Sequence, residues 1–111
     1  NLDLNNPINC CQEIMNVLDG RVLVLKGPST IIITSDKKIL IINNSNSLLA
    51  TAGSGDVLAG LIGGFMSQGL NAISAAQLGC YVHSQCGINL GKGLIASDLI
   101  MEIPNVLKKI Y

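Results

Sequence analysis

At Gly55 the hydrophobic pattern of the chain changes period, and that change limits what the chain can fold into. Upstream, Arg21 to Lys26 (Arg-Val-Leu-Val-Leu-Lys), Thr30 to Thr34 and Ile39 to Ile42 are short runs of β-branched and aliphatic residues. Gly27-Pro28 and the polar turn Ser35-Asp36-Lys37-Lys38 separate them. Such runs predict strands. The first is apolar without alternation, the pattern of a strand covered on both faces. The second and third are expected to pair as a hairpin. Downstream, Val57, Leu58, Leu61, Ile62, Phe65 and Met66 recur at the spacing of a helix with a broad apolar face. Gly69 ends it, and Ala72 to about Leu90 predicts a second, mostly small or apolar helix. Ser97 reads as the N-cap of a third helix, with Asp98 favoured in its first turn by the helix dipole. Pro104 is expected to kink that helix or split it. Gly60, Gly63 and Gly64 lower the helix propensity of the first helix, and close approach to a neighbouring backbone is the expected compensation. A short helix over Cys10 to Leu18 is predicted ahead of the first strand, and Asn43 to Ser47 reads as a polar loop.

The resulting order, one helix, three strands and three helices, is an α/β arrangement that does not close on itself. The first strand needs further parallel strands beside it, and two apolar helices need more sheet to cover. Composition points the same way. With 111 residues the chain is one domain at most, yet 49% of them are hydrophobic and 13% charged, against an average charged share of about 25%. A small domain buries less of its surface and should be more polar, not less. The chain is therefore expected to hide apolar surface in a homo-oligomer or to be part of a larger body, an expectation that its first residue, Asn1, also suits.

The net charge is zero, with no basic run and three aromatic residues, which excludes the footprint of a nucleic-acid binder. Asn1 to Asn9 is polar and carries no targeting signal. Leu48 to Met66 is interrupted by Asp56 and glycines, so no membrane span is expected. Cys10, Cys11, Cys80 and Cys86 read as reduced, and the chain as cytoplasmic. Cys80, His83 and Cys86 hint at a metal site, but on a helix the two thiols point about 120° apart. Buried cysteines in a core helix are the expectation. His83 reads as a hydrogen-bonded packing residue.

The stretch that carries chemistry is Ala52-Gly53-Ser54-Gly55-Asp56-Val57. Glycines admit positive φ and let a ligand approach the backbone. The first N–H groups of a helix lack internal partners and carry partial positive charge, which suits a phosphate. Asp56 sits at the same helix mouth. A carboxylate beside a phosphate is unfavourable unless it has a task, as a general base or as a ligand to Mg²⁺. The alternative is a favourable first-turn acid behind an ordinary glycine loop.

Wider context adds a family. Val-Leu-Val-Leu-Lys-Gly-Pro-Ser-Thr at Val22 to Thr30, Ala-Thr-Ala-Gly-Ser-Gly-Asp-Val-Leu-Ala-Gly at Ala50 to Gly60, Ala-Ala-Gln-Leu-Gly-Cys-Tyr-Val-His-Ser at Ala75 to Ser84 and Gly-Leu-Ile-Ala-Ser-Asp-Leu at Gly93 to Leu99 stand in the family's order and at its spacing. In these stretches the chain resembles the C-terminal half of the ATP/ADP-dependent NAD(P)H-hydrate dehydratases, a branch of the ribokinase-like superfamily. The resemblance implies the C-terminal portion of a three-layer α/β/α fold, with residues 1–111 as a partial domain whose N-terminal half, and any epimerase domain, lies elsewhere. Asn44-Ser45-Asn46-Ser47 stands where the family has a Thr-Gly-Asn-Pro-like turn, and the His-Pro-Gly-Glu-like element of the N-terminal half has no match in Asn1 to Gly20. It also implies ADP or ATP as phosphoryl donor with Mg²⁺, and hydrated NADH or NADPH as substrate. Lys26, Gly27, Pro28, Ser29 and Thr30, with Gly53, Ser54 and Gly55, would contact the nucleotide. Asp56 would contact the substrate and act as base: the ring hydroxyl loses its proton, its oxygen is phosphorylated, and phosphate leaves to restore NADH or NADPH. Lys26 to Thr30 and Gly53 to Gly55 are expected to converge on one nucleotide. A small-molecule kinase of the same superfamily, acting on a vitamin precursor or sugar, and a non-catalytic remnant of a degraded gene are the alternatives.

Overall fold

Strand-type sequence becomes sheet where neighbouring runs can exchange backbone hydrogen bonds. In the computed structural model, which describes residues 21–26, 30–34, 38–42 and 51–110, all three expected strands do so. They are β1 (Val22–Leu25), β2 (Thr30–Thr34) and β3 (Ile39–Ile42), in sheet order β1-β2-β3. Both pairings are antiparallel, with Leu25 opposite Ile31 and Thr30 opposite Ile42. The expected β2–β3 hairpin is present. Thr34 ties it, its N–H donating to the Lys38 carbonyl at 3.1 Å and its Oγ1 accepting from the Lys38 N–H at 3.2 Å. The helix expected over Cys10 to Leu18, the segments Gly27 to Ser29 and Asn43 to Ser47, and the other positions outside those ranges fall beyond the described residues.

The uninterrupted apolar run of β1 predicts a strand covered on both faces, and both faces meet apolar clusters, Val22 and Val24 on one side and Leu23 and Leu25 on the other. Among the described residues β1 is an edge strand, antiparallel to β2 and half-buried. The deeply buried strand is β2, where Ile32 and Ile33 have no exposed surface. A continuous apolar run shows that both faces meet apolar groups; it does not say which strand has neighbours on both sides.

Alternation along the strands sorts the side chains into two clusters. Ile32, with Val22, Val24, Leu40 and Ile42, packs against Leu58, Ile62, Ala76 and Cys80 of the helices. Ile31 and Ile33, with Leu23, Leu25 and Ile39, form a separate cluster on the opposite face. The helices are α1 (Ser54–Ser67), α2 (Ala72–Leu90) and α3 (Ala96–Ile110). A third cluster binds them together: Phe65 of α1, Ala75, Val82 and Cys86 of α2, Leu94, and Leu99 and Val106 of α3.

Local chemistry explains the helix ends. Gly69 adopts φ 103°, where its N–H caps the Met66 carbonyl at 3.0 Å, a left-handed exit that glycine takes without a Cβ penalty. Asn71 caps α2 by accepting the Ser74 N–H at 2.8 Å. The start of α3 differs from expectation. The helix begins at Ala96, so Ser97 lies inside its first turn rather than at the cap. Asp98 does the capping, its carboxylate reaching back to the Ile95 N–H at 2.9 Å, as the acidic partner of a capping box does. Pro104 does not split the helix, which runs unbroken from Ala96 to Ile110.

The glycines of α1 also differ from expectation. A Cβ added at Gly60, Gly63 or Gly64 would meet nothing within 4 Å. The close approach is made by Gly79 of α2, where an added Cβ would lie 2.6 Å from Ile62 Cγ1. Gly60 and Gly64 instead line an open cleft between α1 and α3.

Candidate functional site

The turn into α1 is built around two constraints on Gly53. Its φ is 84° and its ψ −7°, the left-handed region, and a Cβ there would stand 3.2 Å from the Ala96 Cβ. A side chain is therefore opposed both by backbone strain and by α3. The turn closes with the Ser54 N–H on the Thr51 carbonyl at 3.1 Å and the Val57 N–H on the Gly53 carbonyl at 3.2 Å. That leaves the N–H groups of Gly55 and Asp56 without a backbone partner among the described residues. Both residues are exposed. The helix offers no side-chain cap of its own. The mouth of α1 thus presents unpaired, positively polarised donors to solvent, as an anion site requires. Gly55 is not demanded by the protein: a Cβ there meets nothing within 4 Å and its φ is not positive. The absent side chain keeps space open over the helix mouth.

Asp56 sits in the first turn of α1, at the edge of a cleft of about 520 Å³. Apart from Gln68, the rest of the lining is small or apolar, with Gly53, Gly60, Leu61, Ala96 and Ile100 among it. The carboxylate makes no hydrogen bond or ion pair to the described residues, so it is free to act on a ligand.

Ser54 behaves differently from its neighbours. It is 1% exposed, and its hydroxyl is turned inward to His83, with Oγ 2.9 Å from Nε2. The same Nε2 lies 3.0 Å from the Ser54 carbonyl oxygen. His83, on α2, is 3% exposed. The sequence predicts a hydrogen-bonded packing residue at His83, and the bond is present; its partner is not legible there, because Ser54 and His83 are 29 positions apart. Burial, and then the nearby Lys26 ammonium, hold His83 below the ordinary histidine range, against the raising effect of the Ser54 carbonyl. The ring is neutral at neutral pH.

Lys26 follows β1 and is exposed. Strand alternation puts it on the same face as Val22 and Val24, the face that packs on the helices. Its charge acts on both His83 and Cys80 of α2. Thr30 opens β2 beside it, paired with Ile42 and on that same face. The structure therefore brings Lys26 and Thr30 to one end of the sheet, on the side of α1 and α2. Gly27, Pro28 and Ser29 lie outside the described residues.

Cys80 and Cys86 are free, buried thiols in two different clusters, Cys80 against the sheet and Cys86 among the helices. Burial pushes Cys86 up to about 11, with Glu102 adding to the rise, and burial also raises Cys80. Among the described residues no helix is long and apolar enough to cross a membrane.

Comparison with known proteins gives this geometry a family. A family model described as NAD(P)H-hydrate dehydratase matches residues 3–109. The chain is 40% identical over 94 residues to a bifunctional NAD(P)H-hydrate repair enzyme Nnr of Moorella thermoacetica, covering 80% of this chain and 18% of that protein. It is 34% identical over 94 residues to an ADP-dependent (S)-NAD(P)H-hydrate dehydratase of Xanthomonas campestris, covering 80% of this chain and 32% of the relative. Among solved structures it is similar to the ADP/ATP-dependent NAD(P)H-hydrate dehydratase of Bacillus subtilis co-crystallized with ATP/Mg²⁺. The TM-score is 0.87 at 27% identity, over 96% of this chain and 40% of that one. The chain thus spans less than half the length of the relatives it matches. Matched over nearly all of its residues, the chain belongs to the NAD(P)H-hydrate dehydratase family.

Proposed function

We propose that residues 1–111 form the C-terminal part of a domain that dehydrates hydrated NADH or NADPH at the expense of ADP or ATP, a carbon–oxygen lyase of nicotinamide cofactor repair. The observation that carries the reading is the mouth of α1: N–H groups of Gly55 and Asp56 and the Asp56 carboxylate beside them, none with a partner among the described residues, and open space over Gly55. The dehydratase likeness covers the same stretch.

The roles follow from the donors present. The Gly55 and Asp56 N–H groups hold nucleotide phosphate, with the α1 dipole behind them. Lys26 supplies a mobile positive charge from the sheet end, and Thr30 a hydroxyl next to it. Gly27, Pro28 and Ser29 complete that nucleotide segment by the family likeness. Gly53 shapes the turn, and Ser54 acts from behind it, since its hydroxyl faces His83. The donor set fits a nucleotide carrying Mg²⁺, an ion that would be held largely through phosphate oxygens and water. The nucleotide supplies a phosphoryl group that turns a poor leaving group, hydroxide, into a good one. Asp56 accepts the proton of the substrate hydroxyl as its oxygen is phosphorylated. The remaining substrate contacts come from the part of the domain that the relatives have in addition. The exclusion of water and the cytoplasmic setting belong to that whole enzyme.

The test is Asp56→Asn, in this chain joined to the rest of the domain. Asparagine is nearly isosteric and tolerated near a helix start, and the phosphate contacts are backbone groups that it leaves in place. ADP or ATP affinity, measured by calorimetry, should hold or rise slightly. Formation of NADH from its hydrate should fall 10²–10⁴-fold, the usual contribution of a general base. If more than about a tenth of kcat survives, below that range, Asp56 is not the base; if nucleotide binding vanishes too, it is structural or a metal anchor.

A further inference from the structure

We propose that His83 is a positioning residue: by bonding to Ser54 it sets the direction in which the Gly55 N–H points at the mouth of α1. The geometry lies in one peptide group. His83 Nε2 is 3.0 Å from the Ser54 carbonyl oxygen. That carbonyl and the Gly55 N–H belong to the same planar unit, and the bond is trans, since no cis peptide occurs among the described residues. In a trans peptide C=O and N–H point in opposite directions. Holding the carbonyl against a buried ring in α2 therefore turns the N–H outward to the helix mouth.

The ring is held firmly enough to do this. His83 is 3% exposed, and Ser54 is 1% exposed. A carbonyl oxygen can only accept, so the hydrogen-bond pattern assigns the ring proton to Nε2. That one N–H is then shared between the carbonyl and Ser54 Oγ, which lies at 2.9 Å. Two atoms of the same residue on one nitrogen fix both the carbonyl direction and the Ser54 rotamer. A donor on the carbonyl also polarises the peptide and strengthens its N–H as a donor. Without the ring, Ser54 would leave a buried hydroxyl unpaired, and the first turn of α1 would relax.

The inference rests on the phosphate role proposed for that N–H, but its test does not depend on it. Three variants of the full chain are compared: wild type, His83→Phe and His83→Gln. Phenylalanine keeps the ring volume and removes the donor. Glutamine returns an N–H at about the position of Nε2. First, without ligand, ¹⁵N NMR reads the His83 tautomer and the Gly55 amide resonance. The expected result is a neutral ring protonated on Nε2, with a Gly55 resonance that moves in His83→Phe and returns toward wild type in His83→Gln. Second, ADP is titrated. The phenylalanine variant should bind about tenfold more weakly, the scale of one hydrogen bond to a charged group, and the glutamine variant within about threefold of wild type. A ring proton on Nδ1 overturns the proposal. So does a Gly55 resonance equally displaced in both variants, which would mean that His83 only fills space. If the Gly55 responses are as expected but wild type binds no ADP, the positioning role stands and the nucleotide reading falls. Should His83→Phe fail to fold, the wild-type tautomer and the glutamine variant decide the question alone.

Discussion

The contact between α1 and α2 can be tested by comparing two glycines that look alike in sequence. Gly63 of α1 and Gly79 of α2 both lie inside helices. In a helix interior alanine is favoured over glycine by roughly 0.8–1.0 kcal/mol. At Gly63 an added Cβ meets nothing within 4 Å, so Gly63→Ala should keep that gain. A rise in melting temperature of about 4–8 °C follows for a domain of about this size. At Gly79 the same methyl would stand 2.6 Å from Ile62 Cγ1 and 3.5 Å from the Ile62 backbone nitrogen. Ordinary carbon–carbon contact is about 3.5–4.0 Å, so the methyl intrudes by about 1 Å. Ile62 cannot simply swing aside, because a β-branched side chain in a helix is confined to one χ1 rotamer. Overpacking of this kind costs about 1–3 kcal/mol. Set against the propensity gain, Gly79→Ala should range from near neutral to about 2 kcal/mol destabilising. The informative quantity is the difference between the two variants, about 1–3 kcal/mol in urea unfolding with unchanged m-value. If Gly79→Ala stabilises as much as Gly63→Ala, the helices do not approach at Gly79 and the packing argument fails.

Three further outcomes are expected. His83 is held below its ordinary value of 6.5 by burial and by Lys26, so as pH falls below about 6.5 the unfolded chain takes up a proton that the folded chain refuses. Stability should therefore drop from pH 7.5 to 5.5, and by less in His83→Gln; equal drops in urea midpoint would refute this. Cys80 and Cys86, buried and shifted upward, should resist thiol labelling at pH 8 in the folded chain and react in urea, as read by peptide mass spectrometry; fast native labelling of either contradicts its burial. Ile95, Ile100 and Met101 are more than half exposed in a chain that is 49% hydrophobic, so sedimentation should show concentration-dependent association. A monodisperse, cooperatively unfolding monomer at micromolar concentration would be evidence against it.

What could be read from the sequence alone was whatever depends on neighbours in the chain. The strands at Val22, Thr30 and Ile39, the helices from Ser54 and Ala72, and the glycine turn around Gly53 each rest on a local period or on glycine's access to positive φ. The family was legible for the same reason, since its motifs are short and lie in order. Tertiary structure decided the rest. Among the described residues it put β2 between β1 and β3, because centrality depends on which runs find neighbours on both sides. It moved the close helix approach from Gly60, Gly63 and Gly64 to Gly79, because a glycine's use depends on what faces it. It replaced Ser97 by Asp98 as the capping side chain of α3, because the helix starts at Ala96, two residues earlier than a Ser97 cap would place it. It also turned Ser54 away from the helix mouth and onto His83. No local pattern could pair those two residues: the packing of α1 on α2 brings them together, and their contact then directs the backbone donor next to Asp56.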